Sequence, residues 1–247
     1  MRKHMAVFGL LAKSSLWKVV GILLAMCAAE IVLFRFALQD ALEAHDMADV
    51  GMATLEQLLA KSWGKTLFKA ALVLISVAVC LPGCKFKSNP DYTLRRLSIS
   101  ERMVFFHQAV YNMVVYCMLI AAQLGVVFGL ANYYVAAVPK EYASGQTVML
   151  AFYRDRFLHS LLPMEDVGLW IRNGLLVITL GLAAAGFPYR QRRQDYSLTV
   201  IAVVLYTLVY FERGIGDLFH VITTSIIALL VIGEILYKVV TRRYEEE

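Results

Sequence analysis

The chain has 247 residues, of which 60% are hydrophobic and only 17% are charged, and its mean hydropathy is +0.63. A soluble domain averages about 45–50% apolar and about 25% charged residues, so this composition excludes an ordinary soluble domain. The net charge of +5 does not by itself indicate nucleic acid, because basic residues also orient membrane proteins.

Six apolar segments along the chain approach or exceed the length of a membrane span. About 20 apolar residues cross about 30 Å of hydrocarbon. The third segment is longer than this, so it is either one projecting helix or a helix with an interfacial turn. The fifth is short. We therefore predict an all-α polytopic membrane protein, a single transmembrane domain over residues 1–247, with six transmembrane helices at about 16–37, 64–83, 103–138, 168–187, 197–212 and 217–238.

Three less apolar segments are predicted to lie on the membrane surfaces. The N-terminal stretch over residues 5–18 carries Lys13 and Lys18 and is too short to span, which predicts an interfacial helix over about residues 1–15. The segments 38–62 and 145–162 have helical patterns of apolar residues. We expect these two to form caps on the outer surface.

The basic residues predict the orientation. The N-terminus, the C-terminus and the segments between spans two and three and between spans four and five carry about twice as many Lys and Arg residues as the opposite side. Basic residues accumulate on the cytoplasmic side of multi-pass proteins. Both termini are therefore predicted to be cytoplasmic, and nucleic acid is not needed to explain the charge.

Several polar residues fall at predicted membrane depth, where a charge costs about 2.5–3.5 kcal/mol. Glu30 lies about two thirds of the way through the first span, either bonded to a neighbouring helix or lining a cavity. At about 100° per residue, four side chains of the third span share one face. This stripe must face another helix, a subunit interface or a watery path, and it consists of Gln108, Asn112, Tyr116 and Gln123.

The segment 85–102 between spans two and three is polar and basic, yet it has the pattern of a short helix. Asn89 and Pro90 form a helix-start signal, and Ser98 or Ser100 can cap the following span with Glu101 in its first turn. The alternative is an ordinary basic loop that only sets orientation. That alternative does not explain the spaced apolar residues or the second start signal.

The residues Thr93-Leu94-Arg95-Arg96-Leu97-Ser98-Ile99-Ser100-Glu101-Arg102 resemble the stretch after the second span in ABC-2-type transporter permeases, with Ser98 where that family usually has proline. In that family this stretch is a cytoplasmic coupling helix that docks on a separate ATPase. The resemblance therefore implies an ATPase-coupling role for Tyr92, Leu94, Arg95, Arg96, Leu97, Ser98, Ile99, Ser100, Glu101 and Arg102.

The resemblance also implies partners and a location. It implies two copies of an ABC ATPase subunit that hold ATP and Mg²⁺, with no cofactor bound directly by this chain and no enzymatic activity of its own. It implies pairing with a second permease, identical or related, in a prokaryotic plasma membrane. The exported compound is expected to be a peptide, a lipid or an amphiphilic drug-like molecule.

Two other functions stay open. An intramembrane enzyme would use Glu30, His107 or His220 as an acid or base, although the sequence has no HExxH or GxSxG motif. A membrane sensor or immunity protein would bind a ligand through its outer helices without an ATPase. Neither alternative predicts a stoichiometric ATP-binding partner.

Overall fold

The computed structural model describes residues 2–48, 51–81, 100–192, 198–212 and 218–241. Every regular element in these ranges is an α-helix. In chain order the helices are α1 Arg2–Ala48, α2 Leu55–Lys61, α3 Gly64–Cys80, α4 Glu101–Ala137, α5 Gly145–Arg154, α6 Arg156–Leu161, α7 Val167–Arg192, α8 Thr199–Tyr210 and α9 Leu218–Thr241.

Four of these helices, α1, α4, α7 and α9, are long and apolar enough to cross a membrane. The pair α2 and α3 passes the same criteria together but bends by 46° at its break. At about 1.5 Å per residue, α8 reaches only about 18 Å, which is short of a bilayer core. The prediction of an all-helical membrane-type protein is confirmed, whereas six spans are not: the described residues contain four, or five with the bent pair.

The two longest helices bear on two sequence predictions. The interfacial helix expected over residues 1–15 is not a separate element, because α1 continues without a break from Arg2 to Ala48. No proline interrupts that range, and single glycines cost only about 1 kcal/mol each. The third segment is one continuous helix of 37 residues, and it ends where Val138 adopts the extended conformation that precedes Pro139.

Helix contacts define the direction of the bundle. α1 and α4 run side by side in the same direction, since Ser15 contacts Tyr111 and Glu30 contacts Gln123. We call the end near Ser100 the proximal end and the end near Ala137 the distal end. α7 runs antiparallel to α4, because Phe105 near the start of α4 packs on Tyr189 near the end of α7.

The buried side chains form two separate clusters. The main core joins α1, α3, α4, α7, α8 and α9 along the bundle and includes side chains of the short helices α5 and α6. A second cluster, the distal core, joins the last third of α1 and the end of α4 to the short helices α2 and α5. The predicted cap 38–62 thus packs into the distal core, which includes Phe34, Leu38, Leu55, Leu58, Leu130, Tyr134 and Ala151. Most buried residues of the other predicted cap, 145–162, belong instead to the main core: Phe152, Phe157, Leu158 and Leu161.

Candidate functional site: the polar face of α4

The proximal end of α4 contains the last residues of the predicted coupling segment. Ser100 occupies the N-cap position with extended dihedral angles, and Glu101 stands in the first turn. Arg102 donates a hydrogen bond to the Val240 carbonyl oxygen at 3.0 Å, in the last turn of α9. Cations near helix C-termini are favourable because the terminal carbonyl groups carry partial negative charge.

The other residues of that segment, Tyr92, Leu94, Arg95, Arg96, Leu97, Ser98 and Ile99, lie outside the described residues. Their coupling role stays a prediction. Sequence reasoning placed Arg102 in this group and missed its contact with α9. The one sequence feature that could have indicated this contact is the predicted C-terminal end of the last span, because an exposed helix C-terminus attracts a cation.

The predicted polar stripe of α4 is buried along its whole length. Gln108, Asn112, Tyr116 and Gln123 are each about 1% exposed. In the amide orientation that pairs both of its polar atoms, Asn112 donates to the Gln108 carbonyl oxygen at 3.2 Å and accepts from the Ala185 nitrogen at 3.3 Å. The stripe therefore faces neighbouring helices of its own chain. This is the first of the three alternatives, packing against another helix.

Hydroxyl pairs join α4 to α1 and α3. The Tyr116 and Ser76 hydroxyl oxygens are 2.9 Å apart, and Ser76 also donates to the Leu72 carbonyl oxygen of its own helix. Tyr111 and Ser15 form a similar pair at 2.8 Å between α4 and α1. Each pair satisfies buried groups that would otherwise cost about 1–3 kcal/mol.

Glu30 of α1 and Gln123 of α4 form a buried polar contact inside the bundle. The Gln123 amide nitrogen donates to both Glu30 carboxylate oxygens, at 2.8 and 3.0 Å, and Glu30 is about 1% exposed. The carboxylate also lies against Gly64, whose added Cβ would stand 3.4 Å from the Glu30 oxygen. Gly64 begins α3, so the positive end of that helix dipole stabilises the carboxylate.

This contact borders a small cavity of about 20 Å³, room for about one water molecule. Both alternatives for Glu30 thus hold, since it is bonded to a neighbouring helix and also lines a cavity. Ser62, Lys65 and Asp155 complete the polar part of the lining. The buried apolar lining of the cavity, Val127, Phe157 and Leu158, belongs to the main core.

Two ion pairs tie α3 to the helices around this level. Lys65 pairs with Asp155 at 3.1 Å, and Lys69, one turn later, pairs with Glu212 at 2.8 Å. Asp155 also accepts from the Phe157 and Leu158 backbone nitrogens and so caps α6. Neither ion pair was predicted from the sequence.

One buried arginine, Arg172, is the polar residue whose position in the interior was missed most clearly from the sequence. Arg172 is 0% exposed, and its guanidinium donates to the Asn173 side chain at 3.0 Å and to the Phe211 carbonyl oxygen at 3.2 Å. Asn173 in turn donates to the Ser160 carbonyl oxygen at 2.7 Å. The adjacent Arg-Asn pair inside an apolar run was the available signal.

The groups proposed for an enzyme are not assembled with Glu30. His107 bonds the Met103 carbonyl oxygen and packs its ring on Phe8 near the start of α4. It lies 16 residues before Gln123, which is about 24 Å along the helix. His220 packs on Tyr210 and Phe219 at the start of α9. Among the described residues, no three metal-binding side chains form a group.

No protein family, curated protein or solved structure matches this chain.

Proposed function

We propose that this chain is the permease subunit of an ATP-driven ABC-2-type exporter. The proximal end faces the cytoplasm, and segment 85–102 docks on a separate ATPase that holds ATP and Mg²⁺. Two ATPase subunits serve two permeases, identical or related, in a prokaryotic plasma membrane. The exported compound is a peptide, a lipid or an amphiphilic drug-like molecule.

The observation that carries the proposal is the continuity of α4. This helix begins within the predicted coupling segment, with Ser100 at its N-cap, and continues for 37 residues without a break. A displacement of its first turn would therefore be carried along the helix axis to Gln123 and Glu30. Such a long and continuous helix with one buried face suits the transmission of ATP-driven motion into a bundle.

The contact between Arg102 and α9 supports a second route for that motion. Because Arg102 bonds the Val240 carbonyl oxygen, a shift at the start of α4 would also move the end of α9. ATP can shift the bundle between two arrangements only by its differential affinity for them. The docking surface must therefore differ in position between those arrangements, and the start of α4 is a suitable place for that difference.

The test is affinity purification of the full chain from its native membrane in several mild detergents, followed by mass spectrometry. We expect a stoichiometric P-loop ATPase to accompany the wild-type chain. The double variant Arg95→Glu with Leu97→Asp should lose this ATPase. The matched control Lys18→Glu, which reverses an exposed charge on α1, should retain it.

Preparations without any ATPase, in every detergent, would overturn the proposal and favour the enzyme or sensor alternatives. An ATPase that stays bound to the double variant would place the docking surface elsewhere. Activity on a membrane substrate without a partner would support the enzyme, and ligand binding independent of ATP would support the sensor.

A further inference from the structure

The buried contact between Glu30 and Gln123 contains one oxygen atom without a partner. The Gln123 amide nitrogen donates to both Glu30 carboxylate oxygens, yet the Gln123 Oε1 atom is buried and has no hydrogen-bond partner. Both side chains are about 1% exposed. Buried polar atoms are nearly always hydrogen-bonded, so this arrangement satisfies only the donor half of the Gln123 amide.

The negative charge of Glu30 has no full counter-charge. No lysine, arginine or histidine among the described residues forms an ion pair with the Glu30 carboxylate. The start of α3 at Gly64 contributes only the partial positive charge of a helix N-terminus. A buried carboxylate without a cation is costly, and such a group usually gains a proton instead.

The other ionisable groups near Glu30 do not supply the missing charge. Lys65 of α3 lines the same small cavity but pairs with Asp155 at 3.1 Å. Glu30 and Asp155 carry two negative charges, and Lys65 carries one positive charge. Cys27, three residues before Glu30 on α1, interacts electrostatically with it, but a thiol with an ordinary pKa of about 8.5 is neutral at neutral pH. One positive charge is therefore needed to make the site neutral.

The unpartnered Gln123 oxygen is the acceptor that a protonated Glu30 requires. A neutral carboxylic acid has one O–H donor and a carbonyl acceptor, and an amide offers the matching acceptor and donor. When Glu30 carries the proton, its O–H group donates to Gln123 Oε1 and its carbonyl oxygen accepts from the Gln123 nitrogen. Only a rotation about the soft terminal torsion of Gln123 is needed to reach this pairing.

The small cavity gives the proton a route from the distal side. α3 begins beside Glu30 at Gly64 and runs toward the proximal end, where Cys80 contacts the Ala184 carbonyl oxygen near the end of α7. The cavity therefore lies at the distal end of α3, and its volume of about 20 Å³ admits about one water molecule. Lys65, in its lining, has a side chain that is 36% exposed.

We propose that Glu30 and Gln123 form a proton-binding site, which a proton from the distal side reaches through the small cavity. The proton comes from water, and its uptake forms one O–H bond on Glu30 and breaks no bond in the protein. Release of the proton restores the carboxylate with the Gln123 nitrogen on both of its oxygens. Proton binding goes beyond the proposed function, since it requires neither the ATPase nor transport.

The test is infrared spectroscopy of the purified full chain in dodecyl maltoside, which detects the carbonyl stretching band of a protonated carboxyl group. The sample is held at about pH 6, where exposed glutamates with an ordinary pKa of about 4.3 are ionised. We expect a band from one protonated carboxyl group in the wild-type chain and its loss in Glu30→Gln. The matched control Glu43→Gln, the same change at an exposed position of α1, should retain the band.

A second pair of variants tests the role of Gln123. Gln123→Leu should retain the band but move it to higher frequency, because the Glu30 acid loses both of its hydrogen bonds. Gln108→Leu makes the same change on the same face of α4, about 22 Å away along the helix, and should leave the band in place. This comparison still tests the site if Glu30→Gln fails to fold.

Three results would overturn the proposal. Absence of the band in the wild-type chain would mean that Glu30 stays ionised and that a buried water satisfies Gln123 Oε1. A band that disappears on addition of Na⁺ at constant pH would identify a metal-cation site instead. An unshifted band in Gln123→Leu would mean that the acid is not bonded to Gln123. Because no ATPase takes part, these outcomes are independent of the coupling test.

Discussion

Replacing Gly181 by alanine tests whether α4 and α7 pack as closely as the structure indicates. An added Cβ at Gly181 would stand 2.5 Å from the Met113 Cγ, 3.1 Å from the Ala109 carbonyl oxygen and 3.1 Å from the Met113 backbone nitrogen. The Met113 side chain can move aside. The two backbone atoms cannot, so the helices must separate.

The expected magnitude follows from two opposing effects. Exchange of glycine for alanine inside a helix gains about 1 kcal/mol of helix propensity. Overpacking of a tight core contact costs about 1–3 kcal/mol. Gly181→Ala should therefore lower the free energy of unfolding by up to about 2 kcal/mol relative to wild type.

Gly174 provides the matched control, since it lies in the same helix and an added Cβ there meets nothing within 4 Å. Gly174→Ala should leave stability unchanged or raise it by up to about 1 kcal/mol. The assay is unfolding of the purified protein in dodecyl maltoside with increasing SDS, followed by circular dichroism and tryptophan fluorescence. A gain in stability for Gly181→Ala as large as that for Gly174→Ala would refute the close packing of α4 on α7.

Three further perturbations address the polar contacts of the bundle with the same assay. Gln123→Leu should lower the free energy of unfolding by about 1–3 kcal/mol, because it leaves the buried Glu30 carboxylate without its donor. The double variant with Glu30→Met should recover part of that loss, and no recovery would argue against the pairing. Ser76→Ala and Tyr116→Phe should each cost about 1 kcal/mol and be clearly non-additive in a double-mutant cycle, whereas additive losses would mean that the hydroxyl groups do not interact. Asp155→Ala should lower the free energy of unfolding by about 1–2 kcal/mol, because it removes the cap of α6 as well as an ion pair. A loss near zero would contradict the capping role.

Several local features of the fold could be predicted without the structure. The end of α4 before Pro139 follows from the proline rule, which involves only neighbouring residues. Ser100 takes the predicted N-cap position, although its side chain makes no capping hydrogen bond. The burial of Gln108, Asn112 and Gln123 follows from helical periodicity. The pair Glu234–Lys238 follows from the i, i+4 spacing.

Other features were missed because they depend on distant parts of the chain. Hydropathy divided α1 into a surface helix and a span, whereas its backbone is continuous and its last third packs with Leu55 and Leu58 in the distal core. Arg172 lies inside the fourth predicted span and was counted only as a basic residue of the outer side, yet Phe211 and Asn173 satisfy it in the interior. A charge count contains no information about such partners.

The sequence by itself determined that this is an all-helical, membrane-type protein and which face of α4 must avoid lipid, because composition and helical periodicity are local properties. Only the tertiary structure decided what that face meets. Gln123 bonds Glu30 across 93 residues of sequence, and Tyr116 bonds Ser76 across 40. Such pairings depend on which helices pack together and at what height, and burial of polar groups permits only those arrangements that bring a donor to each acceptor.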